Sequence, residues 1–400
     1  MDNLLTSAAV RSRCARVTEL VEGGDGRWFN IDRSRYAECT DLVLQSCLRN
    51  YPTLQIPLHS RWRHFDIGGV NLWDHYMSGF SGDPLEKART AMDLVCLSVI
   101  LDAGAGSDWH YRDSVTGAAL GRSEGLAAAS VDLFFNQLAR GDAIRGWSLD
   151  SGTLSGLTVD TFESVFQLSG DNPLIGVTGR IELVHRLGEV LAAGNLRRPG
   201  QLLDVLLESA VDINGTPRVQ AADVLATVLQ YFNSIWPNAL EHNGTVLGDC
   251  GVHGGLGETG SADQIVPFHK LSQWLSYSLV EPLQWAGVEV VELDGLTGLP
   301  EYRTGGLLID TGLLVPRDSS LLEEQLKVES EAVVEWRAVT VTMLDRIAQT
   351  VREEIGMDTQ ELPLGAVLQG GTWAAGREIA ARLRADSSPP LKLAIDGTVF

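Results

Sequence analysis

The stretch QIVPFHKLSQWLSYSLVEPL, residues 264–283, decides the fold class. Lys270, Gln273, Trp274, Tyr277 and Glu281 fall at i, i+3, i+4, i+7 and i+11, which is one stripe of a helix. Leu271, Leu275, Leu279 and Leu283 form a neighbouring stripe that would enter a core. A solvent-facing stripe rarely carries Trp and Tyr together, so the polar stripe reads as the wall of a pocket. A core helix whose polar groups satisfy one another is the other reading.

The same apolar spacing recurs over 87–101, 179–193, 200–210, 217–235, 264–286, 329–355 and 374–385. Strand signals are few and short: VEVVEL at 288–293, LLID at 307–310 and LKLAID at 391–396. Residues 242–263 are rich in Gly, Ser, Thr and Asn and read as a mobile loop. The expected architecture is mainly α, a helical two-lobed fold with a few short strands. Residues 1–85 mix aromatic and basic groups without clear period, so they are expected to form an N-terminal subdomain or wrapping segment. Residues 86–400 are then the main helical domain.

Composition bounds the partners. A chain of 400 residues, 44% hydrophobic, can bury a large core without disulfides or metals. A net charge of −21 disfavours nucleic-acid phosphates and anionic membrane surfaces, though local arginines can still hold a small anion. Five cysteines without a CxxC read as reduced thiols of a cytoplasmic protein, and the N-terminal residues lack a signal-peptide core.

Chemistry is most concentrated in DGLTGLPEYRTGGLLIDTG, residues 294–312. Its five glycines and one proline imply a backbone that turns sharply or approaches something closely, with no helical run. The bend would project Glu301, with Tyr302 and Arg303 beside it. Elsewhere, Trp109, Tyr111 and Arg112 follow the helix ending at DAGAG, and aromatic faces beside an arginine suit a planar ligand. Arg122 precedes Ser123, a candidate N-cap, and Arg180 opens a helix after NPLIG in a manner that suits a phosphate. Capping, packing and salt bridging are the competing readings of these stretches. Glu335 lies between Val334 and Trp336 in an apolar helix and must find a partner, with Arg337 close by. Trp373 and Arg377 follow GGT at the start of another helix.

No P-loop, nucleophile elbow, kinase signature or strand-linked GxGxxG is present, and the weak Cys250-x2-His253 spacing does not make a metal site. Neither cofactor nor metal is expected. His269 and Asp249 are further polar candidates beside the Lys270 helix.

Taken together, LDAGAG-x2-W-x-Y, RSEGLA, NPL-x-G-x2-GR, PFHKLSQWLSYSL-x-EP, LTGLPEYR-x-GGL, VVEWRA-x-TV, GGTWAAGREIA and the terminal DGTVF resemble the uracil-catabolism family Urc4/Urg3. The resemblance runs from about residue 90 to the end. It implies a place in a pathway that degrades uracil through ribosylated intermediates to urea. A shorter stretch is similar to the queuosine-nucleotide N-glycosidases, helical proteins related to helix-hairpin-helix glycosylases. Those carry a K-x2-Q helix followed by LT-x3-DYR; here Lys270-x2-Gln273 precedes Leu296-Thr297-x3-Glu301-Tyr302-Arg303, with glutamate in place of aspartate.

That likeness implies a helix-hairpin-helix-glycosylase-like fold and a carboxylate acting on an N-ribosidic bond. The expected substrate is a ribosylated urea or pyrimidine derivative, phosphorylated at its sugar and hydrolysed to a ribose species and urea. Glu301, Asp249 and Glu335 are the catalytic candidates. Trp109, Tyr111, Arg122, Arg180, His269, Lys270, Gln273, Trp274, Tyr277, Tyr302, Arg303, Arg337, Trp373 and Arg377 are the binding candidates. A metabolite-binding or scaffold protein and a uracil phosphoribosyltransferase are the alternatives, the latter lacking its usual sheet and acidic diphosphate loop.

Overall fold

A computed structural model describes residues 3–237 and 239–398. The last two residues of the terminal DGTVF motif lie outside them. The fold is mainly α, with short strands paired in twos or threes. The chain divides into two interleaved compact units, Met1–His59 with Ala239–Gln273 and Glu292–Ala394, and Ser60–Asn238 with Trp274–Val291 and Ile395–Phe400. No unit boundary falls at residue 85.

The first unit is organised on the 25-residue helix Glu331–Ile355. The helix Ser7–Gly23 packs along it, started by the Thr6 hydroxyl accepting from Ala9 N and ended by Gly24 at φ 90°. Val10, Cys14 and Val17 on one helix meet Val334, Ala338 and Val341 on the other, with Val266 and Phe268 closing the cluster. Ser7–Gly23 and Tyr36–Asn50 are regular helices in a region whose sequence shows no clear period. Arg13 is buried on the core side because its guanidinium reaches the carbonyl and carboxylate of Asp263, so the apolar stripe is broken by a paired charge.

Three boundaries differ from the sequence expectation. LLID is not a strand but the end of the helix Thr304–Asp310. Residues 265–267 and 216–220 are strands rather than helical leads into Lys270–Trp285 and Ala221–Phe232. The strand Ile265–Pro267 pairs antiparallel with Cys250–Val252, so part of the expected mobile loop is an ordered hairpin. Each short apolar run is ambiguous between helix and strand by pattern alone, and its pairing partner decides. For Thr304–Asp310 the deciding contacts are tertiary. A Cβ on Gly305 would lie 2.5 Å from the Trp336 ring, so only glycine lets this helix seat on Glu331–Ile355.

The second unit is built around Pro84–Ile100, whose residues from Thr90 to Ile100 are all buried. Helices Arg122–Asp132, Val177–Ala193 and Leu202–Ser209 pack on it. The strands Val211–Ile213, Thr216–Gln220 and Glu289–Val291 form its three-stranded sheet. Among the described residues no helix is long and apolar enough to cross a membrane.

Candidate functional site

The candidate site lies in the first unit, where the 294–304 turn meets the start of the Lys270–Trp285 helix. Glu301 is buried, and both of its carboxylate oxygens are held by backbone: Oε2 accepts from Arg303 N at 2.9 Å and Oε1 from Thr304 N at 2.7 Å. The Glu301 carbonyl accepts from Gly305 N at 2.9 Å, so the residue leads the chain into Thr304–Asp310. Thr304 Oγ1 donates to Leu299 O at 2.6 Å and locks the Pro300 bend from inside. Each carboxylate oxygen has two acceptor positions, so among the described residues one on each remains after these contacts. Burial raises the Glu301 pKa above the ordinary glutamate range; the Arg303 amide, the Lys270 charge and the Thr304 amide counteract this only partly.

Lys270 and Gln273 stand one turn apart on the opposing helix face. Gln273 Oε1 accepts from Thr297 N at 3.2 Å, joining the K-x2-Q and LT-x3-EYR segments directly. The approach to Lys270 is rigid. His269 has φ 49°, a left-handed conformation that costs a non-glycine residue about 1–2 kcal/mol. Asp249 holds it there: its carbonyl accepts from Phe268 N and His269 N, and its Oδ2 from Lys270 N. The His269 ring donates from Nε2 to Leu4 O at 2.9 Å, and burial pushes its pKa down.

Both carboxylate oxygens of Asp249 are engaged. Arg337 meets it with two parallel bonds, at 2.8 and 2.7 Å, while stacking 4.0 Å over the Phe268 ring. Burial would raise the Asp249 pKa, but Arg337 outweighs it and the carboxyl titrates below its usual range. Glu335 is engaged likewise. Its carboxylate accepts from the amides of Arg27, Trp28 and Phe29 at 2.8–2.9 Å and from His253 Nε2 at 3.0 Å. Four bonds match the acceptor capacity of a carboxylate, which leaves Glu335 as the anchor of the 27–29 segment. Among the described residues no group of three or more His, Cys, Asp and Glu side chains is placed to hold a metal ion.

The Arg303 guanidinium donates to Ser387 O at 2.8 Å and lies 5.0 Å over the Tyr302 ring. Arg377 is exposed and lies 4.8 Å over Trp373, whose other neighbour is the His59 ring at 5.5 Å. The helix Trp373–Leu383 reaches this turn through Gly376, where a Cβ would come 2.3 Å from Arg303 O. Thr304 and Gly376 lie inside the quoted motifs without being candidates; both act through close approach of the backbone.

The remaining candidates belong to the second unit. Trp109 is buried, donating from Nε1 to Phe166 O at 2.9 Å, and Tyr111 donates to Asp132 at 3.0 Å. Arg180 is spent on carbonyls: those of Ile175, Leu101, Ala103 and Gly104 accept from it, so the guanidinium caps the 101–104 turn instead of facing a phosphate. Burial lowers its pKa to about 10. Arg122 is exposed at φ 52° where Arg122–Asp132 begins. Tyr277 is fully buried, and Trp274 lies 5.6 Å from the Arg61 guanidinium and 5.9 Å from the His64 ring. Arg61 itself, buried against Ser98, Ser123 and Asp102, carries no motif that sequence reading would pick out.

The comparisons with known proteins cover the whole of this framework. A family model described as "Protein of unknown function (DUF1688)" matches residues 3–400. The chain is 37% identical to "Uracil catabolism protein 4" of Lachancea kluyveri, over 98% of this chain and 97% of that protein. It is 34% identical to "Protein urg3" of Schizosaccharomyces pombe, over 99% of this chain and 98% of that protein. With a family model over nearly the whole chain, the chain belongs to the DUF1688 family, and it is a relative of Uracil catabolism protein 4 and Protein urg3.

Proposed function

We propose that this protein serves uracil catabolism and hydrolyses the N-ribosidic bond of a ribosylurea-type intermediate, phosphorylated at the ribose 5-position, to a ribose species and urea. The name of the Lachancea relative, Uracil catabolism protein 4, supports the pathway. The observation that carries the reaction is Glu301: a buried carboxylate with raised basicity, fixed by two backbone amides, under the influence of Lys270.

Cleavage of a glycosidic C–N bond passes through an oxocarbenium-like state, which a nearby carboxylate stabilises by charge while it accepts a proton from the attacking water. The Lys270 charge works against the burial that favours the protonated form of that carboxylate. Asp249 and Arg337 act through Lys270, by fixing the Phe268–Lys270 backbone. Among the binding candidates of this unit, Arg377 is exposed and Tyr302 and Trp373 are partly exposed, and they can offer surface to a planar or phosphorylated ligand.

The test is urea release from ribosylurea and its 5′-phosphate by the purified chain, with Glu301→Gln as control. Release that disappears in the variant supports the hydrolase; intact substrates and unmeasurable binding sink the reading. A metabolite-binding role is the second reading, favoured by the amide bonds that already occupy both Glu301 oxygens. It requires tight binding without turnover, unchanged in the variant.

A further inference from the structure

The carboxamide of Gln273 is only half used. The side chain is fully buried, and the bond from Thr297 N to Oε1 fixes which end of the amide is oxygen. Nε2 is therefore oriented, and its donors meet no acceptor among the described residues. A buried donor left unmade costs about 1–3 kcal/mol, and such a group in a native protein calls for a ligand or water that accepts from it.

Its surroundings indicate which. Gln273 is one turn beyond Lys270, whose charge acts on Glu301, and its oxygen is tied to Thr297, four residues before Glu301. The supports on either side are stiff: the strained His269 backbone clamped by Asp249, and the Thr304–Leu299 lock in the turn. A donor held this firmly, one turn from the lysine whose charge acts on Glu301, suits a substrate oxygen at a set distance from the reacting carbon.

We propose that Gln273 Nε2 binds the carbonyl oxygen next to the glycosidic nitrogen, so that the substrate class is N-ribosides of ureido or other acyl-substituted nitrogen rather than of simple amines. This rests on the glycosidase reading above. When the C1′–N bond breaks, its electron pair moves to nitrogen and delocalises onto the carbonyl oxygen, which becomes a stronger acceptor. Water adds its oxygen to C1′ and gives one proton to Glu301, which passes it to the departing nitrogen. Urea leaves neutral, and Gln273 transfers no proton. Its bond to the carbonyl strengthens as charge builds there, which is stabilisation of the transition state over the ground state.

The experiment compares ribosylurea 5′-phosphate with its thiocarbonyl counterpart, whose sulfur is a weak acceptor, on the full-length chain and on Gln273→Glu and Gln273→Leu. The glutamate keeps an oxygen for Thr297 N and loses the donors; the leucine loses both. The expected result is a fall of about 10²-fold in kcat on the oxygen compound in both variants. The oxygen-over-sulfur ratio of kcat/KM should also fall by about tenfold or more from its wild-type value. Variants that slow both compounds equally and keep the wild-type ratio would overturn the proposal and make Gln273 a brace for Thr297.

Should the variants not fold, calorimetric binding of the two compounds to the wild-type chain decides. An oxygen preference of about tenfold supports the assignment, and equal affinity or no binding overturns it. A wild-type chain that cleaves neither compound defeats the glycosidase reading, while the same binding ratio still judges Gln273 on its own.

Discussion

Glu335 and Glu301 are both buried carboxylates of the same unit, and burial pushes the pKa of each upward, yet they end on opposite sides of the ordinary glutamate value. At Glu335 the His253 bond and three backbone amides overcome desolvation, and the carboxyl is held low. At Glu301 two amides and the more distant Lys270 charge do not. The carboxylates of Glu335 and Asp249 are heavily engaged, the first by four hydrogen bonds and the second by three. The region around Glu301 and Gln273 keeps acceptor positions and a donor in reserve. Saturation makes an anchor, whereas unspent hydrogen-bonding capacity in a rigid frame is what a reaction can use.

The sharpest way to break that contrast is to neutralise each glutamate in turn. Glu301→Gln should lower turnover by about 10²–10⁴-fold, the usual worth of a positioned proton acceptor, while thermal melting changes little. Glu335→Gln should do the reverse, losing stability by about 3–5 kcal/mol in urea unfolding with turnover per folded molecule retained. Matching effects from the two variants would erase the distinction. Asp249→Asn tests the same anchor from its other side. It leaves Arg337 buried without its bidentate partner and should cost about 3–5 kcal/mol by the same unfolding measurement.

Gly305→Ala should destabilise by about 1–3 kcal/mol, read from the melting temperature, because the added methyl meets the Trp336 ring. If it is neutral, the seating of Thr304–Asp310 is softer than the contacts imply.

The pH profile sharpens the comparison further. A base must be deprotonated to act, so activity should rise with pH through a limb above the ordinary glutamate pKa, and Lys270→Met should move that limb upward. The stability contribution of Glu335 runs the other way. Its folded pKa is depressed, so the contribution is present above the unfolded pKa and lost as pH falls through the folded one, which acid melting curves of Glu335→Gln against wild type would display. The smallest effect belongs to the surface. Arg49 and Glu378 are about half exposed, and Arg49→Ala should change stability by less than about 1 kcal/mol.

The helical core was legible because its signal is periodic. Residues 87–101, 179–193, 329–355 and 374–385 each contain a long apolar stripe, and each is a helix within a few residues of those bounds. The N-terminal helices were not, since buried Arg13 and the buried thiols of Cys39 and Cys47 blur the stripe until their partners are known. At the candidate site, the K-x2-Q and LT-x3-EYR spacing brought Lys270, Gln273 and Glu301 to notice. Arg180, Asp249 and Glu335 carry the residue types of a binding or catalytic group but are occupied by carbonyls, an arginine and backbone amides respectively.

What the sequence by itself determined is therefore the class of fold, the family and the polar residues worth weighing, because periodicity and spacing are local properties of the chain. Which of those residues are spent and which are spare was decided only in the tertiary structure. A side chain's hydrogen-bond partners come from segments tens to hundreds of residues away, as when Arg27–Phe29 meets Glu335 or Thr297 meets Gln273. No local pattern encodes that accounting; it exists only once the chain has closed on itself.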